Sequence, residues 1–140
     1  MSDFSRFMKK NQIVKPNTFF PATASLTDEE GKPLQWEIRA LTTPEAERIR
    51  AANVKWVVDS NGRAKQRISE TYTTALVAAA VVVPDLRDAA LQDSYGVSTP
   101  EDLLMEMVPS PGEYYAFSEF VMKYSGMDTN INSEIEEAKN

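Results

Sequence analysis

The sequence predicts an α+β fold, an N-terminal β-hairpin packed on a mainly α-helical domain. Three observations predict it. Two strand-like segments, residues 18–24 and 34–41, flank a stretch of turn formers. An apolar run over residues 75–83 stops at Pro84 and reads as part of a buried helix. Thr43-Pro44, Thr99-Pro100 and Ser110-Pro111 each set a capping side chain beside a proline, the signal of a helix start.

Each element follows in order. Phe4, Phe7 and Met8 recur at helical spacing in the N-terminal stretch. Two readings stand there: a short helix lying on the domain, or a detachable amphipathic arm that docks a partner. Residues 18–24 hold two aromatics and two threonines, and Pro21 restricts that strand to an edge or a bulge. Asp28, Glu29, Glu30, Gly31, Lys32 and Pro33 make the turn. Leu34, Trp36, Ile38 and Ala40 then alternate with Gln35, Glu37 and Arg39, the pattern of a half-buried strand. A hairpin alone is not stable in water, so Trp36 and Ile38 must lie on helices.

Thr43 is the expected cap of a helix running to about Asn53, with Pro44 in its first position and Glu45 and Glu47 at the positive end of the dipole. Residues 53–67 contain Asn61-Gly62, a tight-turn pair, and read equally as a second hairpin or a mobile loop. Arg63, Lys65 and Arg67 beside Trp56 are too few for a nucleic-acid patch on so acidic a chain. The central helix is expected over 68–83, with Ile68, Tyr72, Ala75, Leu76, Ala79 and Val83 on one face. Val81, Val82 and Val83 are β-branched and form a strand in the alternative reading. Asp85 is the expected cap of a helix from Leu86 to about Ser94 that turns Leu86, Ala89 and Ala90 inward, with Tyr95 a further candidate, and stops at Gly96. Thr99 and Asp102 open the next helix, with Leu103, Leu104 and Met107 inward. Ser110 and Glu113 sit at capping-box spacing before a helix to Ser125, with Tyr114, Phe117, Val121 and Tyr124 on one face. One domain is expected over 1–126, followed by a flexible acidic tail over 127–140.

The composition excludes much chemistry. The 140 residues contain no cysteine and no histidine, which removes thiolate nucleophiles, disulfides, imidazole bases and ordinary zinc ligands. The five glycines form no phosphate-binding loop. The acidic groups around Asp28 and Glu136 lie in a turn and a tail, where solvent keeps paired carboxylates from separating their pKa values. No cofactor, metal or catalytic residue is expected, and the chain reads as a binding protein rather than an enzyme. A net charge of -6 disfavours both nucleic acid and anionic membrane as partners. The start of the chain has no apolar stretch of signal-peptide type, and the 75–83 run is too short to span a bilayer, which takes about 20 residues.

Pro84-Asp85-Leu86, Leu91-Gln92-Asp93-Ser94-Tyr95-Gly96 and Gly112-Glu113-Tyr114 resemble the XkdN-like family of phage tail-assembly chaperones. Gly31-Lys32-Pro33, Trp36-Glu37-Ile38 and the closing Glu137-Ala138-Lys139-Asn140 extend the resemblance to nearly the whole chain, with residues 53–67 unmatched. The resemblance implies a non-catalytic helper in the cytoplasm of a bacterial host. It would bind the tape-measure protein, a long, helix-rich, aggregation-prone chain, with tail-tube subunits as a second candidate partner. The alternative is a structural minor tail or head–tail connector protein that stays in the virion. A homo-oligomer is compatible with either. An acidic surface grooved between helices suits reversible capture of an amphipathic helix, and methionines near the C-terminal helices supply adaptable apolar area or core filler. The candidate contact residues are Leu91, Tyr95, Met105, Met107, Tyr114 and Tyr115.

Overall fold

A computed structural model describes residues 3–127. The α+β expectation holds. Three short strands, β1 (Thr18–Phe20), β2 (Trp36–Ile38) and β5 (Val81–Val83), form an antiparallel sheet in the order β1-β2-β5. A separate ribbon pairs β3 (Val54–Val58) with β4 (Ala64–Ile68). Among the described residues five α-helices accompany the strands: α1 (Thr43–Ala52), α2 (Tyr72–Ala80), α3 (Ala89–Ser94), α4 (Pro100–Met107) and α5 (Pro111–Tyr124). The expected acidic tail lies outside the described residues from 128 onward.

The alternation seen in the sequence sets β2. Trp36 and Ile38 point into the core and Glu37 lies between them on the other face. The edge of Trp36 meets the Phe117 ring at 5.5 Å, and Phe20 from β1 stacks on Phe117 and, at 4.4 Å, on Phe120. The sheet is thus covered by α5 through an aromatic layer, the arrangement that lets so short a hairpin persist. Behind it, α2 buries six of its nine residues and packs against α1, α4 and α5. Ile38, Leu76, Leu103, Leu104, Phe117 and Val121 have no solvent exposure.

The central helix is shorter than expected at both ends. Ile68 is the last residue of β4, facing Val54, and the chain turns at 69–71 with the Ser69 amide donating to the Asn53 carbonyl at 2.7 Å. At the other end Val81–Val83 is a strand. Its β-branched residues complete the sheet beside β2, and the Arg39 amide already donates to the Ala80 carbonyl at 2.9 Å. Helix termination therefore falls at Ala80, ahead of Pro84. The segment over 53–67 resolves to a hairpin. Gly62 takes φ 79° in its turn, and Asp59 Oδ1 accepts from the Asn61 and Arg63 amides, each at 2.9 Å.

Several caps differ from expectation. Thr42, not Thr43, caps α1 in a full capping box with Glu45. Asp88, not Asp85, caps α3 by accepting from the Leu91 amide at 2.9 Å. Asp85 instead holds a turn through the Arg87 amide. That turn buries Leu86 before the helix begins and leaves Ala89 and Ala90 exposed rather than inward. Thr99 caps α4 as expected, accepting from the Asp102 amide. Ser110 stands at the cap position of α5 without a side-chain bond there. Its expected partner Glu113 is engaged across the fold, accepting from the Thr23 hydroxyl at 2.7 Å and the Ala24 amide at 2.8 Å. A long-range anchor has displaced a local cap.

The N-terminal stretch does not form an α-helix lying on the domain. It makes two 3₁₀ turns, Asp3–Phe7 and Lys9–Asn11. Phe4 and Phe7, three residues apart, share one face of such a turn. Both point to solvent, with Phe7 86% exposed. Residues 15–17 tie this stretch to the body, Asn17 through its side-chain amide to Glu37 at 2.8 Å. There the Lys15 ammonium donates to the Tyr124 carbonyl at 2.6 Å and lies 4.1 Å over the Tyr124 ring. The Tyr124 hydroxyl in turn donates to the Pro16 carbonyl.

Candidate partner-binding surface

Helix α4 presents two faces. Leu103, Leu104 and Met107 point into the core, as their spacing dictates. Met105 points away and is 51% exposed. It lines an open groove of about 470 Å³, together with Asn53, Glu70, Thr71, Thr74, Glu101 and Asp102. Thr74, on α2, links this groove to α5, because its hydroxyl and that of Tyr114 share a hydrogen bond of 2.5 Å. The Tyr114 ring in turn meets Tyr115 edge-on at 5.8 Å, and Tyr115 is 68% exposed.

The other expected contact residues are placed differently. Leu91 on α3 and Tyr95 at its C-terminal cap are half-buried against the core. Among the described residues no hydrogen bond or ring contact ties them to Met105 or to the tyrosine pair. Met107 is 5% exposed and belongs to the core. It shapes α4 from beneath and offers little area to a partner.

Sequence reasoning passed over part of the apolar surface. Ile13, 94% exposed, and Val14 follow the exposed Phe4 and Phe7 along the N-terminal arm. With Lys9, Lys15, Leu41 and Tyr124 they line a second open groove of about 490 Å³. The available signal was an apolar pair inside the polar run Lys9–Asn17, too short to score as periodic. Trp56 and Val58, on the β3–β4 ribbon, are also exposed.

The titratable groups of the fold serve structure. Arg39 grips Glu45 with both guanidinium nitrogens, one donating at 2.7 Å. The Arg39 hydrogen bond, followed by those from Thr42, lowers the Glu45 pKa to about 2, and Arg39 is itself held above its ordinary value. A carboxyl so acidic is ionised at neutral pH and carries no proton to donate. The pair borders a third depression, of about 330 Å³, with Arg48 and Arg87. Glu113 is likewise held below the carboxylate range, first by the Ala24 amide and then by the Thr23 hydroxyl. Among the described residues no three histidine, cysteine or acidic side chains converge on a metal position, and no helix is long and apolar enough to cross a membrane.

These features define a small α+β protein whose distinctive surface is apolar area left uncovered outside a well-packed core. Comparison with known proteins supplies the family. The family model for phage XkdN-like tail assembly chaperone proteins matches residues 4–139, and the chain belongs to that family. It is 22% identical over 139 residues to the phage-like element PBSX protein XkdN of Bacillus subtilis strain 168, covering 99% of this chain and 94% of that protein. It is 23% identical to the uncharacterized protein YqbN of the same strain, over 99% of this chain and 93% of that one. The crystal structure of YqbN has the same fold, with a TM-score of 0.75 and 18% identity, over 91% of this chain and 99% of that chain.

Proposed function

We propose that this protein is a non-catalytic tail-assembly chaperone that binds the tape-measure protein in the cytoplasm of the bacterial host. It holds that long helical chain in solution until tail-tube subunits polymerise around it, with the tube subunits a second candidate partner. The observation that carries the reading is the uncovered apolar surface: Phe4, Phe7, Ile13 and Val14 on the N-terminal arm, Met105 at the α4 groove, and Tyr115 on α5. Exposed apolar clusters of this kind mark interaction sites. Methionine and aromatic side chains suit the capture of varied amphipathic helices, since one adapts its shape and the other supplies area at low entropy cost. Leu91, Tyr95 and Tyr114 extend the proposed contact, and Met107 supports it from the core.

Co-expression tests the reading. The tape-measure protein is expected in the soluble fraction with this chain in excess, and in the pellet without it. Replacing Phe7 and Ile13 by Asp is expected to lose that protection while leaving the melting temperature unchanged. Unchanged tape-measure solubility with the wild-type chain in excess would overturn the proposal. Stoichiometric retention in purified virions would favour the structural-protein alternative.

A further inference from the structure

The two ends of the chain carry opposite charge. Residues 1–17 hold Arg6, Lys9, Lys10 and Lys15 against Asp3, a net side-chain charge of +3. Residues 128–140 hold Asp128, Glu134, Glu136 and Glu137 against Lys139, a net -3. Among the described residues Arg6, Lys9, Lys10 and Lys15 form no ion pair.

The basic end borders an apolar groove, and the acidic end starts from its wall. Ile13, Val14 and Leu41 line the groove with Lys9 and Lys15, and among the described residues no acidic side chain lines it. Gly126 lines it as well. At φ 73° this glycine ends α5, and the Met127 amide donates back to the Met122 carbonyl at 2.8 Å. The chain therefore leaves the helix beside Ile13 and Val14. The next large apolar residue, Ile131, is within about 14 Å of extended chain from Met127. Ile131 and Ile135 are spaced to share one side of a helical turn, with Glu134, Glu136 and Glu137 around them. A segment with so little apolar area does not order by itself. Tethered at the wall of a groove, it meets that groove at millimolar effective concentration, so a weak contact suffices.

We propose that residues 131–138 dock in the groove of their own chain's N-terminal arm. Ile131 and Ile135 cover Ile13 and Val14, and the glutamates meet Lys9 and its neighbour Lys10. Charge fixes which way the segment lies, and apolar contact holds it. Ile13 and Val14 also serve a partner helix in the function proposed above, so the segment is a tethered competitor for that helix. The docking itself does not rest on that function and is read on the purified chain alone.

Paramagnetic broadening in the NMR spectrum of the full chain tests it. The sequence has no cysteine, so Ser133→Cys takes a single nitroxide label. Relative to the reduced label, the Ile13 and Val14 amides are expected to lose about half their intensity or more, because the tether keeps the segment at millimolar effective concentration. Attachment at Gly126 would by itself bring the label close, so variants make the distinction. Ile131→Asp/Ile135→Asp and Lys9→Glu/Lys10→Glu are each expected to restore the intensity, with circular dichroism confirming that each is folded. Adding Glu134→Lys/Glu136→Lys to the second variant is expected to bring the broadening back. Unbroadened arm amides in the labelled chain would overturn the proposal, as would broadening that survives either variant or that the added lysines fail to recover. Broadening seen only when label and isotope sit on different chains would overturn it too, since the segment would then lie on a neighbouring copy.

Discussion

The molecule contains two hairpins with opposite fates. Both have a tryptophan in an alternating strand, and both turn through a glycine-containing loop at positive φ. Trp36 is 2% exposed, while Trp56 stands mostly in solvent. The difference lies outside the hairpins. The β1–β2 pair gains a third strand from β5 and an aromatic cover from Phe117 and Phe120. The β3–β4 pair has its core contact only at its base, through Ile68 and the half-buried Val54. Local chemistry makes a strand; what covers it is a property of the rest of the fold or of another molecule.

The largest expected effect separates the two tryptophans. Trp36→Ala removes a fully enclosed side chain against Phe117 and should cost about 3–5 kcal/mol, a large part of the stability of an ordinary domain. Urea titration followed by circular dichroism measures it. A cost near zero would mean that the aromatic layer is not what holds the hairpin.

Next in size is the link between the covered hairpin and α1. Arg39 leaves β2 to grip Glu45, which also closes the capping box on Thr42. Glu45→Gln weakens both. Discounted for the partial solvent exposure of the pair, it should cost about 1–2 kcal/mol at neutral pH. The sign of its pH dependence is set by the lowered pKa. The ionised partner contributes its full stability above about pH 4.5, the ordinary carboxyl value, and that contribution is lost as the pH falls towards about 2. The gap in melting temperature between wild type and Glu45→Gln should therefore be constant from pH 7 to 5 and shrink below that. A smaller effect of the same kind belongs to Thr99→Ala, which leaves the Asp102 amide without its acceptor and should cost about 1 kcal/mol.

Where the sequence was legible, one local rule acted without competition. Strand β2, the start of α4 and the inward set Leu103, Leu104 and Met107 follow from alternation, a Thr-Pro cap and helical spacing. Where it was not, a distant partner outbid the local rule. Glu113 stands three residues after Ser110, and nothing nearby reveals that Thr23 and Ala24 will take its carboxylate. The valines of β5 continue an apolar helical run, and only the presence of β2 makes them a strand. The exposed apolar surface was legible in part for the same reason. Met105 and Tyr115 follow from helical phase, but Met107 shares the residue type of Met105 and not its face. Ile13 and Val14 give no periodic signal, because the arm that carries them has no regular helix to impose one.

The smallest expected effect on stability is the one that sharpens the comparison most. Trp56→Phe removes nothing from the core and should change the unfolding free energy by less than about 0.5 kcal/mol. It also leaves Trp36 as the single tryptophan, since the chain has two. Fluorescence then reads each hairpin in turn. Emission from the Trp56→Phe variant should be blue-shifted and resist acrylamide, because Trp36 is enclosed. The additional emission of the wild-type chain belongs to Trp56. It should be red-shifted and freely quenched, because Trp56 is 68% exposed. Wild-type emission that resists acrylamide as fully as that of the variant would mean that Trp56 is covered in solution and that the two hairpins do not differ in their surroundings.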